Sequence, residues 1–329
     1  MWTNVAVVGI GAVLVVISLL TAARPDGAPG GTGAPGGTAA HTSVPAAPTS
    51  VPATPPASST AGAGTTVLVV AGDIGRCDAT MDDETGALAA SLPGVVATLG
   101  DTAYEDGTAD ELERCFGGSW GGVKDRIRYA ITGNHDVHTD DGAPLIAYLG
   151  EAAARDGRTY FSDDLGAWHV VVLDANCGAL GRTCATGSDQ VEWLQGDLAA
   201  SNAACTLALW HQPRFSSGDH GNDRSVGPFW DALSAAGADL VLNGHDHDYE
   251  RFAPQDPAGK ADESRGITEL VIGTGGASLE GFPKVRDNSV VRINDAYGVL
   301  ELTLATDGWS SRFIDTAGVV RDQGTGTCH

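Results

Sequence analysis

The stretch LVLNGHDHDYER, residues 240–251, runs a short apolar strand into a glycine and then sets His245 and His247 two positions apart. Side chains at i and i+2 of an extended backbone project to the same side. Two imidazoles brought together at the end of a buried strand need a shared partner. Six further apolar runs end in comparable fashion or lie between those that do: TTVLVVAGD (65–73), PGVVATLGD (93–101), RIRYAITGN (126–134), WHVVVLDAN (168–176), CTLALWH (205–211) and ITELVIG (267–273). Continuous apolar runs of this length suit strands covered on both faces.

Helical signals separate several of them. Thr108 to Glu111 forms a capping box ahead of a helix. Val191, Leu194 and Leu198 have helical spacing, and Pro228 to Ala236 opens on proline and is closed by Gly237. The stretch 297–315 alternates in polarity and carries an Asp-Gly turn, which predicts a terminal antiparallel hairpin. No internal repeat interrupts this order, so residues 66–329 read as one α/β domain.

In open α/β sheets the ligand crevice lies at the carboxyl ends of the strands. Five strand ends here carry Asp73; Asp101 with Tyr104; Asn134 with His135; His211; and His245 with His247. Glycine precedes the first polar residue in four of them (Gly72, Gly100, Gly133, Gly244), and its backbone freedom predicts a tight exit from the strand. Singly, each motif is weak: a Gly-Asp after a strand is usually a turn, and one histidine in an apolar run is usually a core residue. Their joint occurrence at successive strand ends points to a metal centre.

Composition narrows the partners. Against 42 Asp and Glu stand 19 Lys and Arg, a formal charge of −23 that repels nucleic-acid backbone and anionic lipid. A small anionic substrate would need a strong local positive charge, which bound cations provide. Residues 5–23 form an uncharged, mostly apolar segment that reads as an export signal or an N-terminal membrane anchor, giving a domain boundary at 1–23. A buried core helix is disfavoured there, because residues 24–65 are rich in Pro, Gly, Ala, Ser and Thr and read as a disordered spacer. That order places the body outside the cytoplasm, secreted or tethered to the membrane. The six cysteines make disulfides plausible in such a chain. Cys177 and Cys184 bracket a short loop and are favoured as a pair; the other pairings stay open, and without a CxxC a cysteine metal site is the weaker reading.

Asp73-Ile74-Gly75, Gly100 to Tyr104, Gly133 to Asp136, Ala208 to His211 and Gly244 to His247 resemble, in this order, the motifs of the purple acid phosphatase branch of the calcineurin-like metallophosphoesterases. The resemblance covers most of residues 66–329. It implies a four-layer α/β/β/α fold, two mixed β-sheets packed face to face with flanking helices. By the same resemblance Asp73, Asp101, Tyr104 and His247 hold one metal ion, and Asp101, Asn134, His211 and His245 hold the second. Gly75 stands where many relatives have a histidine, with Tyr104 as ligand instead. Ala208 replaces a usual valine, and the spacer stands in place of the β-sandwich domain of large plant members. A phenolate is a hard donor suited to Fe(III), whereas the more neutral second site suits divalent Fe, Zn or Mn. One trivalent and one divalent ion against Asp73, Asp101 and ionised Tyr104 leave about two positive charges at the site.

The implied reaction is hydrolysis of a phosphate monoester by a hydroxide formed on the metal ions. His135, and His220 nine residues after His211, are the candidates to stabilise the transition state or protonate the leaving group. His138, His169 and His329 read as ordinary surface or structural histidines, Asp136 and Arg251 as structural. Gly273 to Gly276 lacks the GK[ST] of a phosphate loop and reads as a turn. A phosphodiesterase acting on nucleotides or lipid head groups is the alternative with the same metals. A surface binding module with a vestigial site is disfavoured because every ligand position is filled.

Overall fold

Each of the seven apolar runs becomes a strand. The computed structural model describes residues 64–179 and 184–329. The apolar segment 1–23 and the spacer up to residue 63 lie outside the described residues. The first sheet, ordered β13-β12-β11-β1-β2-β3, has β1 (Thr66–Ala71), β2 (Val95–Thr98) and β3 (Ile127–Ala130) in parallel. β11 (Gly298–Leu304) pairs antiparallel with β1, and β12 (Gly308–Asp315) and β13 (Val320–Thr327) follow, each antiparallel to the strand before it. The second sheet, ordered β10-β8-β9-β7-β6-β5-β4, is parallel through β5 (Trp168–Val172), β6 (Cys205–Leu209), β7 (Leu240–Asn243) and β9 (Thr268–Ile272). Its antiparallel members are β4 (Phe161–Leu165), β8 (Tyr249–Phe252) and β10 (Ser289–Ile293).

Alternation along the strands decides the layers. Val170, Val172, Leu207, Leu209, Leu240 and Leu242 join Leu68, Val70, Leu300 and Leu302 of the first sheet in one core, which places the two sheets face to face. The residues between them, Val171, Ala208 and Val241, point the other way and pack with Val191, Leu194, Phe229, Trp230 and Leu233. Those last five come from α3 (Asp189–Ala200) and α4 (Gly227–Ala236), which cover the outer face of the second sheet. On the first sheet α1 (Met81–Ser91) lies against β11 and buries Ala89, and α2 (Ala143–Leu149) follows β3. Full burial of each Val or Leu contributes roughly 1.5–3 kcal/mol, so both faces of the second sheet are strongly held. The expected four-layer α/β/β/α architecture with two mixed sheets is observed.

The capping box at Thr108 forms: its Oγ1 accepts the Glu111 N–H at 3.2 Å, and the Glu111 carboxylate accepts the Thr108 N–H at 2.9 Å. The terminal hairpin is part of a longer meander, because β13 adds a third strand that Arg321, Asp322 and two Gly-Thr pairs hide from a hydrophobic pattern. Strand β8 is hidden likewise. Its Glu250 is fully buried and accepts the Ser217 N–H at 2.7 Å, and its Arg251 donates to Asp322 at 2.7 and 3.1 Å.

All six cysteines are paired, as Cys77–Cys115, Cys177–Cys184 and Cys205–Cys328. The short-loop pair is the one the sequence favours. The last bond joins the start of β6 to the residue after β13 and so ties one sheet to the other. It closes 123 residues, and replacing both Cys205 and Cys328 by serine is expected to lower stability by about 4 kcal/mol, measured by denaturant unfolding. His169 sits between Asp197 at 2.8 Å and Asp164 at 3.2 Å, and the bond to Asp197 raises its pKa. A raised pKa stabilises the fold fully below the unfolded value of about 6.5 and loses that contribution as pH climbs through the folded value. The stability gap between the native protein and His169→Gln is therefore expected to be wider at acid than at alkaline pH.

Candidate metal centre

The strand ends meet at one edge, but the turn is made differently from the sequence expectation. Among Gly72, Gly100, Gly133 and Gly244, only Gly100 has a left-handed backbone, with φ of 92°. The polar residue itself turns at three of these ends, with φ of 60° at Asp73, 48° at Asp101 and 75° at His245. Asp and His accept this region better than most residues. The glycines are needed for space. A Cβ on Gly133 would lie 2.1 Å from Asp101 Oδ1, and one on Gly244 would lie 2.6 Å from Asp73 Oδ2. Gly75 is confined in the same way: its Cβ would stand 2.9 Å from both the Phe116 nitrogen and the Thr102 oxygen. A histidine at that position would have to displace main chain.

Seven side chains are thereby gathered. The Tyr104 hydroxyl lies 3.0 Å from Asp73 Oδ1, 3.3 Å from Asp101 Oδ2 and 3.1 Å from His247 Nε2. His247 Nδ1 is 2.8 Å from the Ser278 carbonyl, and a carbonyl only accepts, so Nδ1 carries a proton and Nε2 is the nitrogen turned toward Tyr104 and Asp73. His211 is built the same way, its Nδ1 donating to Leu99 O at 2.7 Å. Its Nε2 then faces Asn134 Oδ1 at 3.2 Å and Asp101 Oδ2 at 3.3 Å. His245 packs edge-on against His211 with ring centres 5.0 Å apart. One donor atom each of Asp101, His211 and His245 lies within 4.8 Å of the others.

This donor set fits cations better than it fits itself. The Tyr104 hydroxyl has one proton for two carboxylates, Asp73 and Asp101. Asp73 and Asp101 are buried, and among the described residues only histidines pair with them. Buried carboxylates without counter-charge are costly. Protons take up the imbalance: burial pulls His211 down, yet Asp101 outweighs it and raises the imidazole to about 10. Against the same pull, Asp73 raises His247 to about 9. His245, desolvated and facing His211, falls to about 2, and burial with Asp73 and Asp101 pushes the Tyr104 phenol well above its ordinary range. Cations at these donors would displace the protons that His211, His247 and Tyr104 retain.

The two candidate proton carriers flank the cluster. The His135 ring lies 4.6 Å from the Tyr104 ring, with Nδ1 held by the Glu105 carbonyl at 2.6 Å and Nε2 4.0 Å from Asp101 Oδ2. His220 stacks on His245 with centres 4.3 Å apart and stays half exposed. Asp136 accepts the N–H groups of Thr102 at 3.0 Å and Gly133 at 2.9 Å, so it fastens two of the loops together. His138, His169 and His329 pair with Asp106, Asp197 and Asp239 outside the cluster. The glycines 273–276 pack the second sheet onto the first: a Cβ on Gly275 would meet the Gly72 oxygen at 2.4 Å. Arg76 and Glu105, which rim the centre, carry no motif and escaped notice in the sequence.

The profile of the calcineurin-like phosphoesterases matches residues 66–249. Purple acid phosphatase 15 of Arabidopsis thaliana is 26% identical over 220 residues, or 56% of this chain and 40% of that protein. Purple acid phosphatase 22 of the same plant is 33% identical over 197 residues, or 54% and 43%. The matched region is thus less than half the length of either relative. Among solved structures, the purple acid phosphatase PPD1 from yellow lupin (Lupinus luteus) seeds superimposes with a TM-score of 0.69 at 18% identity, over 80% of this chain and 54% of that one. GAP50, described as the anchor in the inner membrane complex of Plasmodium, gives 0.61 at 12% identity, over 80% and 89%. Likeness at such identity is likeness of fold, so function rests on the side chains.

Gly133→Ala tests the packing argument. The added methyl must push the Asp101 carboxylate aside, so a lower melting temperature, equivalent to about 1–3 kcal/mol, is expected with unchanged far-ultraviolet dichroism.

Proposed function

Since the chain belongs to the calcineurin-like phosphoesterase family, we propose that residues 66–329 form a catalytic domain that hydrolyses phosphate monoesters around two cations. Asp73, Asp101, Tyr104 and His247 would hold one, and Asp101, Asn134, His211 and His245 the other, with Asp101 shared. The convergence of Asp73, Asp101, Tyr104 and His247 on one point carries this reading, because the two carboxylates are buried and no lysine or arginine among the described residues neutralises them. Three anionic oxygens favour Fe(III) at the first position; two histidines and an amide favour divalent Fe, Zn or Mn at the second. When bound, such a pair supplies Lewis acidity and a water of lowered pKa.

The chain's own groups do the rest. His211 and His247 are oriented by the Leu99 and Ser278 carbonyls, so their Nε2 atoms need no reorganisation to serve as ligands. His135, fixed through Nδ1 by the Glu105 carbonyl, keeps Nε2 to stabilise an equatorial phosphate oxygen or to protonate the leaving alkoxide. His220, stacked on His245 and open to solvent, shares that task on the other side. Three disulfides suit an oxidising compartment, and with them we assign an exported body, with residues 1–23 as signal or anchor and 24–65 as spacer.

Elemental analysis of purified protein is expected to find two metal ions per chain, with iron among them and a visible absorption band from the tyrosinate. Tyr104→Phe should remove that band, and a colourless native protein holding only zinc or manganese would refute the ferric assignment. His135→Ala is expected to lower kcat on a chromogenic monoester about a hundredfold with metal content unchanged. Turnover of the matching diester at a comparable rate would favour a phosphodiesterase.

A further inference from the structure

One cation at the rim of the centre has no part in the scheme above. Arg76 follows Gly75 directly, and its guanidinium lies 5.8 Å from the centre of the Tyr104 ring. The backbone on both sides of it is pinned. The Gly75 N–H donates to Thr102 O at 3.0 Å, the Tyr104 N–H donates to Gly75 O at 2.8 Å, and Cys77 is bonded to Cys115. Its charge, by contrast, is paired among the described residues with two exposed carboxylates: Asp78 at 3.1 Å, 77% exposed, and Glu105 at 2.9 Å, 59% exposed. Glu105 also turns its second oxygen to within 4.0 Å of His135 Nδ1. One exposed carboxylate therefore lies between the Arg76 guanidinium and the His135 imidazole.

We propose that Arg76 and His135 bracket a second anion subsite, occupied by the chain's own Glu105 in the free protein. A carboxylate or second phosphoryl group of the substrate takes the place of Glu105, which swings into solvent. The inference rests on the phosphomonoesterase reading and narrows it to substrates bearing another anionic group close to the reactive phosphorus. Exchange is easy because an exposed ion pair contributes at most about fivefold to an equilibrium constant. The incoming anion gains more, since the guanidinium fork offers it paired charge-assisted hydrogen bonds.

Titration calorimetry on the metal-loaded full chain tests this with phosphonoacetate and its carboxyl methyl ester, two phosphonates that differ only in the second charge. Arg76→Ala is expected to weaken phosphonoacetate about tenfold and to leave the ester unchanged. Glu105→Gln is expected to tighten phosphonoacetate by about two- to fivefold, again with no effect on the ester. Equal changes for both ligands, or none in either variant, would mean that the pair only braces the loop, and the subsite would be refuted while the phosphatase reading stood. A native protein that hydrolyses no monoester and binds neither phosphonate would overturn that reading and the subsite with it.

Discussion

Two buried carboxylates, Asp73 and Asp101, set the terms for everything around them. Each sits in a left-handed turn at the end of a parallel strand, out of reach of water. Neither has a lysine or arginine partner among the described residues; histidines and a phenol crowd them instead. Such a cluster is unstable on its own electrostatics and is held together from outside. Backbone N–H groups of His135 and His245 donate to the two carboxylates at 2.8 and 2.9 Å, and the glycines let neighbouring loops approach them. The rigid two-sheet core makes that crowding possible, because it fixes strand ends that are far apart in sequence.

The acidity of the chain is compatible with the proposed phosphate substrate once distances are considered. A formal charge of −23 is spread over a surface where charges beyond about 10 Å are screened. Two cations held by Asp73, Asp101 and Tyr104 would leave a local excess of positive charge where an oxyanion arrives. Discrimination among phosphate compounds would then fall to the few side chains at the rim.

Much of the body was legible in the sequence because buried parallel strands are written as unbroken apolar runs. Strands β4, β8, β10 and β13 were not, since they carry charged residues that break the apolar run, and in β8 these find partners far along the chain, as Glu250 does in Ser217 and Arg251 in Asp322. The site residues were legible through order and spacing, at successive strand ends. The reason for the glycines was not, because a close approach between loops, such as Gly133 on Asp101, is a tertiary fact. Arg76 and Glu105 lay beyond reach for a simpler reason: nothing in a sequence marks one surface ion pair among many.

The position of β1 has a mechanical consequence. Any pull exerted through the residues before Thr66 enters along a strand hydrogen-bonded to β11 on one side and β2 on the other. Loaded in that direction, the two ladders are sheared together and cannot unzip one rung at a time. An edge strand such as β13 would peel under far less force. Were the body tethered at its amino end, as proposed, the load would enter through a strand paired on both sides.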